Sequence, residues 1–423
     1  MQRFSNRTKL DFSKLKRDPY WDSQSELESP IHRIHGYPAK FPAFLTTQSL
    51  QFAKAQGIRV DLVADIFCGC GTTAFEARRN NKSFWGCDIN PIATLIARTK
   101  SESFQERRLQ NYFKHIMLAH QRNRSRIDYN KAPERLQYWF PKHQYTELAR
   151  LQTSILEQTP PSSKYRDFFL CAFSNILKPT SRWLTKSIKP QLDPQKIPTS
   201  VTNAFEQQVA LMFKATSKTR GLQKTNSQIV TDNFLTTTST PIGIDLVVTS
   251  PPYVTSYEYA DLHQLSTLWL GYCQDYRSLR MGSIGSLYHS YNFNRRWKNL
   301  NVIGNRIVSS LFATDRGKAR SVAKYFLDMQ CVTKRVYDSL SKHGMAVFII
   351  GNTEYKNVRV TNAEHLAESL LKTGFRQVLA SKRKISQKTL TPYRDDKGRF
   401  TTDSSGRHVY AEEFIIVAKK SAR

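Results

Sequence analysis

No apolar stretch in these 423 residues approaches the ~20 needed to span a bilayer, which excludes a helical membrane protein. The opening Met1-Gln2-Arg3-Phe4-Ser5-Asn6 lacks the apolar core of a secretory signal. Cysteine is scarce, six residues at positions 68, 70, 87, 171, 273 and 331. They show no disulfide rhythm, which fits a reducing cytoplasm. Cys68-Gly69-Cys70 has one intervening residue and no second Cys/His pair nearby, so no metal is expected there. Acidic residues are few, 34 against 64 Lys and Arg, giving a net charge of +30. The excess runs along the whole chain and attracts polyanions, nucleic acid before others. A solvated basic surface is the plain alternative. There is no internal repeat, no low-complexity tract and no nuclease motif.

What is present alternates. Short apolar runs predict strands at 60–67, 83–87, 228–231, 244–249, 345–351, 377–384 and 413–418. Helical patterns fall between them, from near Thr72, at 91–100, and at 260–270, 318–340 and 361–373. Strands alternating with helices predict an α/β fold with a doubly wound, largely parallel sheet. Residues 1–35 read as a polar N-terminal arm. Residues 36–110 and 226–423 read as the sheet domain, interrupted at 111–225 by a basic, aromatic-bearing and largely helical insertion. The stretch 271–317 reads as a long irregular loop, a length that in a compact domain is usually functional or disordered.

The run Ile244–Thr249 ends in Ser250-Pro251-Pro252-Tyr253. Proline has no N–H and fixes φ, so the strand stops abruptly there. A hydroxyl, a rigid carbonyl and an aromatic ring are then presented at its carboxyl end, where ligands sit in open α/β sheets. A ring beside hydrogen-bond acceptors suits a planar, amine-bearing group such as a nucleobase. Earlier, Asp65-Ile66-Phe67-Cys68-Gly69-Cys70-Gly71-Thr72-Thr73 reads as a strand end, a glycine turn and a helix start. Glycines let backbone approach a ligand closely. Asp88 ends the next strand, 17 residues after Gly71, where a carboxylate can accept both hydroxyls of a ribose. The absence of a third glycine argues for a nucleoside rather than a dinucleotide. Asp232 or Asn233, after the third strand, is a candidate contact for an adenine amine; an ordinary turn is the competing reading.

Together these segments resemble the S-adenosylmethionine-dependent DNA amino-methyltransferases. DIFCGCGTT looks like their cofactor loop, TSPPY like their catalytic motif, and Gly86-Cys87-Asp88-Ile89-Asn90-Pro91 like their ribose-contacting strand end. Pro38-Ala39-Lys40-Phe41-Pro42 is similar to the segment that precedes the loop and packs over the methionine part. The resemblance covers roughly 35–100 and 225–420. It implies a Rossmann-like methyltransferase sheet with S-adenosylmethionine held by Lys40, Phe41, Pro42, Asp65, Phe67, Gly69, Gly71, Thr72, Thr73, Asp88, Ile89, Asp232 and Asn233. It implies catalysis by Ser250, Pro251, Pro252 and Tyr253, with Tyr253, Tyr257 and Tyr259 on the substrate base. In this family serine at the first tetrapeptide position usually accompanies the N4 amine of cytosine, and aspartate or asparagine the amine of adenine. The order here, cofactor loop first, departs from many SPPY enzymes, which are circularly permuted. No Pro-Cys nucleophile for carbon-5 methylation is seen.

The resemblance therefore implies a cytoplasmic enzyme acting on a base flipped from double-stranded DNA, with a separate cognate restriction endonuclease as a candidate partner. Adenine-N6 in DNA, or a base in RNA, is the alternative substrate. A non-catalytic DNA-binding scaffold is the alternative of another class. The target sequence and the oligomeric state are not encoded in any motif. Two regions compete to read the bases. One is the 111–225 insertion. The other is 271–317, with Arg277, Arg280, Arg295 and Arg296 near Tyr288 and Tyr291.

Overall fold

The computed structural model describes residues 1–421 apart from 7, 23–27, 39, 255–257, 287–291, 385–392, 395–399, 402–406 and 409–412. Its centre is an eight-stranded sheet. In chain order the strands are β1 (Gln2–Phe4), β2 (Leu62–Asp65), β3 (Ser83–Asp88), β4 (Ser227–Thr231), β5 (Ile244–Thr249) and β6 (Leu340–Gly351). A hairpin of β7 (Thr353–Tyr355) and β8 (Val358–Val360) follows, then β9 (Val378–Arg383). Three two-residue strands, β10 (Tyr393–Arg394), β11 (Phe400–Thr401) and β12 (Arg407–His408), precede β13 (Glu413–Lys419). The sheet order is β1-β9-β13-β6-β5-β2-β3-β4. β2 to β6 form a parallel block, while β13 runs antiparallel to β6 and β9, and β1 antiparallel to β9.

From β2 the chain moves outward through β3 and β4, then returns to place β5 on the other side of β2, with Val63 opposite Leu246. The sheet therefore reverses direction between β2 and β5, and the cleft outside their carboxyl ends is the expected ligand site.

Alternate strand residues feed two cores, as a period of two requires. Val63, Phe84, Leu246, Val248, Val347, Ile349 and Ile415 face helices α1 (Phe44–Ala55), α2 (Thr72–Arg79) and α3 (Pro91–Ser101). Ala64, Trp85, Val247, Phe348, Ile350 and Phe414 face the opposite layer, built mainly from later helices. The helices between these layers in sequence are α4 (Glu106–Arg122), α5 (Glu134–Trp139), α6 (Lys142–Gln158), α7 (Lys164–Ile176) and α8 (Val201–Ser217). These five make up the insertion. They share a third core with Phe75 of α2 and with Ile92, Leu95 and Ile96 of α3. The insertion thus packs on the helical layer and not on the sheet.

After β5 come the short α9 (Tyr259–Leu262), α10 (Gln264–Trp269) and α11 (Phe293–Arg296), then α12 (Val302–Thr314), α13 (Arg316–Ser339) and α14 (Asn362–Thr373). The 271–317 stretch is therefore not all loop, because α12 lies within it. Asn301 caps α12, accepting from the Gly304 N–H at 2.7 Å, and Ile303, Ile307, Val308 and Leu311 bury one face.

Residues 1–35, expected as an arm, contribute β1 and place Phe4, Phe12, Leu15 and Trp21 in the cores. Their polar neighbours account for the arm-like composition. Among the described residues no helix is long and apolar enough to cross a membrane.

Candidate active site

Asp65 ends β2 and is buried. Its Oδ1 accepts from the Thr249 hydroxyl at 2.6 Å and from the Phe67 N–H at 3.1 Å; its Oδ2 accepts from the Thr73 hydroxyl at 2.8 Å. Burial pushes this carboxyl up to about 6, against the opposing pull of the three donors. Asp65 was expected at the cofactor. Its visible work is to tie the start of α2 to the end of β5, joining the two halves of the cleft.

The two glycines differ in what they do. Gly71 has φ +77°, and a Cβ there would lie 2.6 Å from Ala97 Cα on α3. Gly71 permits a helix–helix approach. Gly69, at φ +46°, has only the Tyr37 ring and its own loop within 4 Å of such a Cβ, the nearest atom at 3.6 Å. Gly69 is the glycine that opens toward the cleft.

Asp88 closes β3. One carboxylate oxygen accepts from the Gly69 N–H at 2.9 Å and the other from the Asn90 N–H at 2.8 Å. Asn90, not Asp88, caps α3, accepting from the Ile92 N–H at 3.0 Å. Burial also pushes the Asp88 carboxyl up to about 6. Asp88 remains partly exposed, and each of its oxygens keeps an unused lone pair.

Tyr37 was not singled out in the sequence. Its ring lies against Gly69 and stacks on His263 at 5.1 Å and on Tyr259 at 6.2 Å. Burial holds His263 down to about 3, so this stack is uncharged at neutral pH. Tyr259 therefore faces the cleft through Tyr37. Tyr257, expected beside it, lies outside the described residues, as do Tyr288, Tyr291 and the Arg295 side chain.

Other expected cofactor residues are placed as follows. Lys40 donates to Glu28 at 2.9 Å and to the His32 carbonyl at 3.0 Å, so its charge is already engaged. Phe41 packs on the α1 side core, Pro42 is half-buried just before α1, and Phe67 packs against the opposite core. Thr72 is buried at the start of α2. The Asp232 N–H donates to the Asp88 carbonyl at 3.0 Å, which sets β4 beside β3. Asn233 makes a turn, accepting from the Leu235 N–H at 2.9 Å, and donates to the Gly282 carbonyl at 3.2 Å.

That last bond marks a strap that the sequence did not reveal. A Cβ on Gly282 would sit 3.3 Å from both Asn233 and Ile89, and one on Gly285 would sit 3.2 Å from Tyr325 and 4.0 Å from the Tyr253 carbonyl. Residues 282–285 therefore cross the cleft from the Asp88 side to the Tyr253 side. In the catalytic half, the Tyr253 hydroxyl donates to Glu413 at 3.2 Å. Burial, then the adjacent Glu413, push the Tyr253 phenol well above its ordinary range, so it stays neutral.

Residues 5–99 match the DNA methylase family of N6 and N4 amino-methyltransferases, a span that includes the glycine loop and Asp88 and ends before Ser250. Over 421 residues the chain is 20% identical to the Type II methyltransferase M.MvaI of Kocuria varians, covering 92% of this chain and 90% of that protein. Both comparisons point the same way as the motifs, to similarity with the DNA amino-methyltransferases. S-adenosylmethionine is the cofactor these comparisons imply, and the cleft has groups that would suit it: a partly exposed carboxylate at Asp88, an open glycine at Gly69 and the apolar side chains of Phe67 and Ile89. The chain also aligns with two solved structures. One is the rRNA methyltransferase aviRa of Streptomyces viridochromogenes, at 11% identity, TM-score 0.29, with 91% and 88% of the two chains covered. The other is a TehB-like SAM-dependent methyltransferase of Corynebacterium glutamicum, at 8% identity, TM-score 0.27, with 88% and 87% covered.

Proposed function

We propose that this methyltransferase methylates the exocyclic N4 amine of cytosine in double-stranded DNA, alongside a separate restriction endonuclease. The observation that carries the reading is Ser250-Pro251-Pro252-Tyr253 at the end of β5, joined to the glycine loop through the Thr249–Asp65 bond of 2.6 Å. Neutral Ser250 supplies a hydroxyl acceptor where adenine-type relatives carry aspartate or asparagine. S-adenosylmethionine supplies an electrophilic methyl. Asp88 would hold its ribose, Gly69 would allow the backbone to approach it, and Ile89 with Asn233 would border its adenine.

The protein's task is orientation. An amine conjugated to a pyrimidine is a poor nucleophile because its lone pair is delocalised. Hydrogen bonds from its N–H groups to Ser250 Oγ and the Pro251 carbonyl favour a pyramidal nitrogen, and Tyr253 stacks on the ring. The base must leave the duplex to reach this depth. Tritiated-methyl transfer to duplex DNA but not RNA is expected, with N4-methylcytosine in the digested product by mass spectrometry. N6-methyladenine as the only methylated base would overturn the cytosine reading.

The ribose assignment has its own test. Asp88→Ala removes charge-assisted bonds of ~1.5–3 kcal/mol, so S-adenosylmethionine should bind about ten- to a hundredfold more weakly by calorimetry, in a folded protein. Only the ionised carboxylate accepts through both oxygens with charge assistance, and burial pushes Asp88 up to about 6. Affinity should therefore be full above that pH and fall as pH drops through it, and Asp88→Asn should flatten the profile.

Target reading remains the proposed task of the insertion, now without most of its aromatic residues. Trp139, Phe140 and Trp183 are buried, with Trp139 stacked on Trp183 at 5.0 Å. Arg135 is also committed, donating to Gln264 at 2.6 Å. Exposed cations remain at Arg107, Arg108, Lys114, Arg122, Arg124 and Arg126. In the rival region Arg280 is paired with Asp261, while Arg277 and Arg296 are exposed. Alanine scans against a library of site variants should relax specificity at single base positions for readers. Phosphate contacts should instead weaken binding uniformly and flatten its salt dependence. If only Arg277 or Arg296 changes which sites are methylated, the insertion is a clamp and not a reader.

A further inference from the structure

We propose that Arg135, Arg277 and Tyr276 form a seat for backbone phosphates of the target duplex on the rim of the cleft, built jointly by the insertion and by the segment that leads into the strap. The inference rests on the duplex-DNA reading above. It adds that the two candidate reading regions meet at this seam, and that the seam grips the backbone without carrying sequence information.

Three guanidinium groups surround one ring. Tyr276 begins a single short helical turn, Tyr276–Arg280, and is buried. Arg135 of α5 lies 5.6 Å from its centroid, Arg280 lies 5.6 Å away and Arg277 5.9 Å. Arg135 also lies over the Tyr138 and Trp139 rings, at 5.1 Å and 5.3 Å. An aromatic ring attracts a cation through its quadrupole, but it carries no net charge to cancel one.

Carboxylates compensate only one of the three. Asp261 accepts from Arg280 Nε at 2.9 Å and Nη2 at 2.7 Å. Arg135 Nε donates instead to the neutral Gln264 Oε1 at 2.6 Å, an oxygen that also accepts from Trp139 Nε1 at 3.1 Å. Asp275, two residues before Arg277, accepts from the Arg277 backbone N–H at 2.9 Å and so caps the turn. Among the described residues no ion pair joins Arg135 or Arg277 to a carboxylate. Like charges held this close repel one another, and a bound polyanion relieves the repulsion.

The tethering favours phosphate over base. A side chain that reads a base edge has to extend into a groove, whereas Arg135 is half-buried and fixed at Nε. Its terminal N–H groups remain as a planar fork, the geometry that suits a phosphate. Arg277 is exposed beside the same ring. Tyr138 on the insertion's side and Met281 on the strap's side are 45% and 65% exposed, which offers apolar surface to the intervening sugars.

Neighbouring contacts put the seam at the cleft. Asp261 belongs to α9 with Tyr259, whose ring stacks on Tyr37 over Gly69. Gly282, two residues beyond Arg280, lies against Ile89 and Asn233. The backbone on either side of an extracted nucleotide has to pass this rim.

Fluorescence anisotropy of the full chain on duplex DNA, across a salt series with S-adenosylhomocysteine present, tests the seat. Arg277→Ala and Arg135→Gln should each weaken cognate and unrelated duplexes alike, by about five- to tenfold at physiological salt, and each should reduce the salt slope by about 1. Arg135→Lys keeps the charge and gives up the fork, so it should retain the slope and lose affinity by only a few-fold. Methylphosphonate replacement of single phosphates around the target should weaken the parent at one or two positions, and at one of these it should cost Arg277→Ala nothing further. S-adenosylmethionine affinity by calorimetry should be unchanged in every variant, which also reports an intact fold.

Parental salt slopes in both Arg277→Ala and Arg135→Gln would overturn the seat, as would a change in which sites either variant methylates, the mark of a base reader. Preference of the parent for an RNA hairpin over duplex DNA in the same series would instead remove the duplex reading on which the seat rests.

Discussion

Gly71→Ala is expected to destabilise the protein by several kcal/mol, lowering its melting temperature by on the order of 10 °C or leaving it insoluble. Two costs combine at this position. A left-handed backbone costs a residue with a Cβ about 1–2 kcal/mol. The new methyl would also lie 2.6 Å from Ala97 Cα and 2.7 Å from Ala97 Cβ, both on a helix fixed in the core. Overpacking against such neighbours typically adds 1–3 kcal/mol. Against a total stability of 5–15 kcal/mol, that is a large fraction. Gly69→Ala provides the contrast. Its φ is also positive, yet the nearest atom to its Cβ is a Tyr37 ring carbon at 3.6 Å, an ordinary contact. It should fold with a smaller loss and show its defect in S-adenosylmethionine affinity. Differential scanning calorimetry and isothermal titration on both variants check the division; equal melting temperatures would refute it.

Tyr253→Ala is expected to lower turnover by about one to two orders of magnitude while S-adenosylmethionine binding persists. Losing a stacked ring costs ~1–3 kcal/mol per base, a factor of roughly 5 to 150. Pro251→Ala should be comparably severe, because the strand end would no longer be rigid. Ser250→Ala should be milder, since the Pro251 carbonyl still accepts. Stopped-flow transfer with a 2-aminopurine target separates the contributions: Tyr253→Phe should still hold the flipped base, and Tyr253→Ala should not.

Much of the architecture was legible because period-two apolar runs and glycine or proline punctuation are local signals. The strands at 244–249 and 413–418, the helix start at Thr72 and the position of Asp88 at a strand end all came from short windows. The failures share a cause. Phe4, Phe12, Leu15 and Trp21 are spaced without period among charged residues, so composition pointed to an arm while long-range packing made a buried strand and core. Helix α12 was hidden by the Gly, Ser and Arg-rich stretch around it. Its own signal, Asn301 followed by apolar residues at 303, 307, 308 and 311, was present. Trp139, Phe140 and Trp183 of the insertion looked like readers and are core, since the five helices and α3 need a large apolar payload to adhere. Tyr37, Glu413 and Arg383 could not have been found by spacing. Glu413 meets Tyr253 across 160 residues, and only the sheet order brings them together.

The N-terminal segment has a consequence for the birth of the protein. Gln2 pairs with Ala380, the Asp18 N–H with the Lys382 carbonyl, and Asp22 with the Lys384 N–H. At a synthesis rate of 5–20 residues per second, the first turns of the chain wait roughly 20–75 s before these partners emerge. Until then Phe4 and Phe12 lack the late strands they pack against. A nascent chain halted before residue 378 can complete the parallel strands and the glycine loop, yet it lacks the strands that carry Arg383 and Glu413. The ribosome would thus hold a molecule able to form its donor pocket while the Tyr253 hydroxyl still waits for its Glu413 partner.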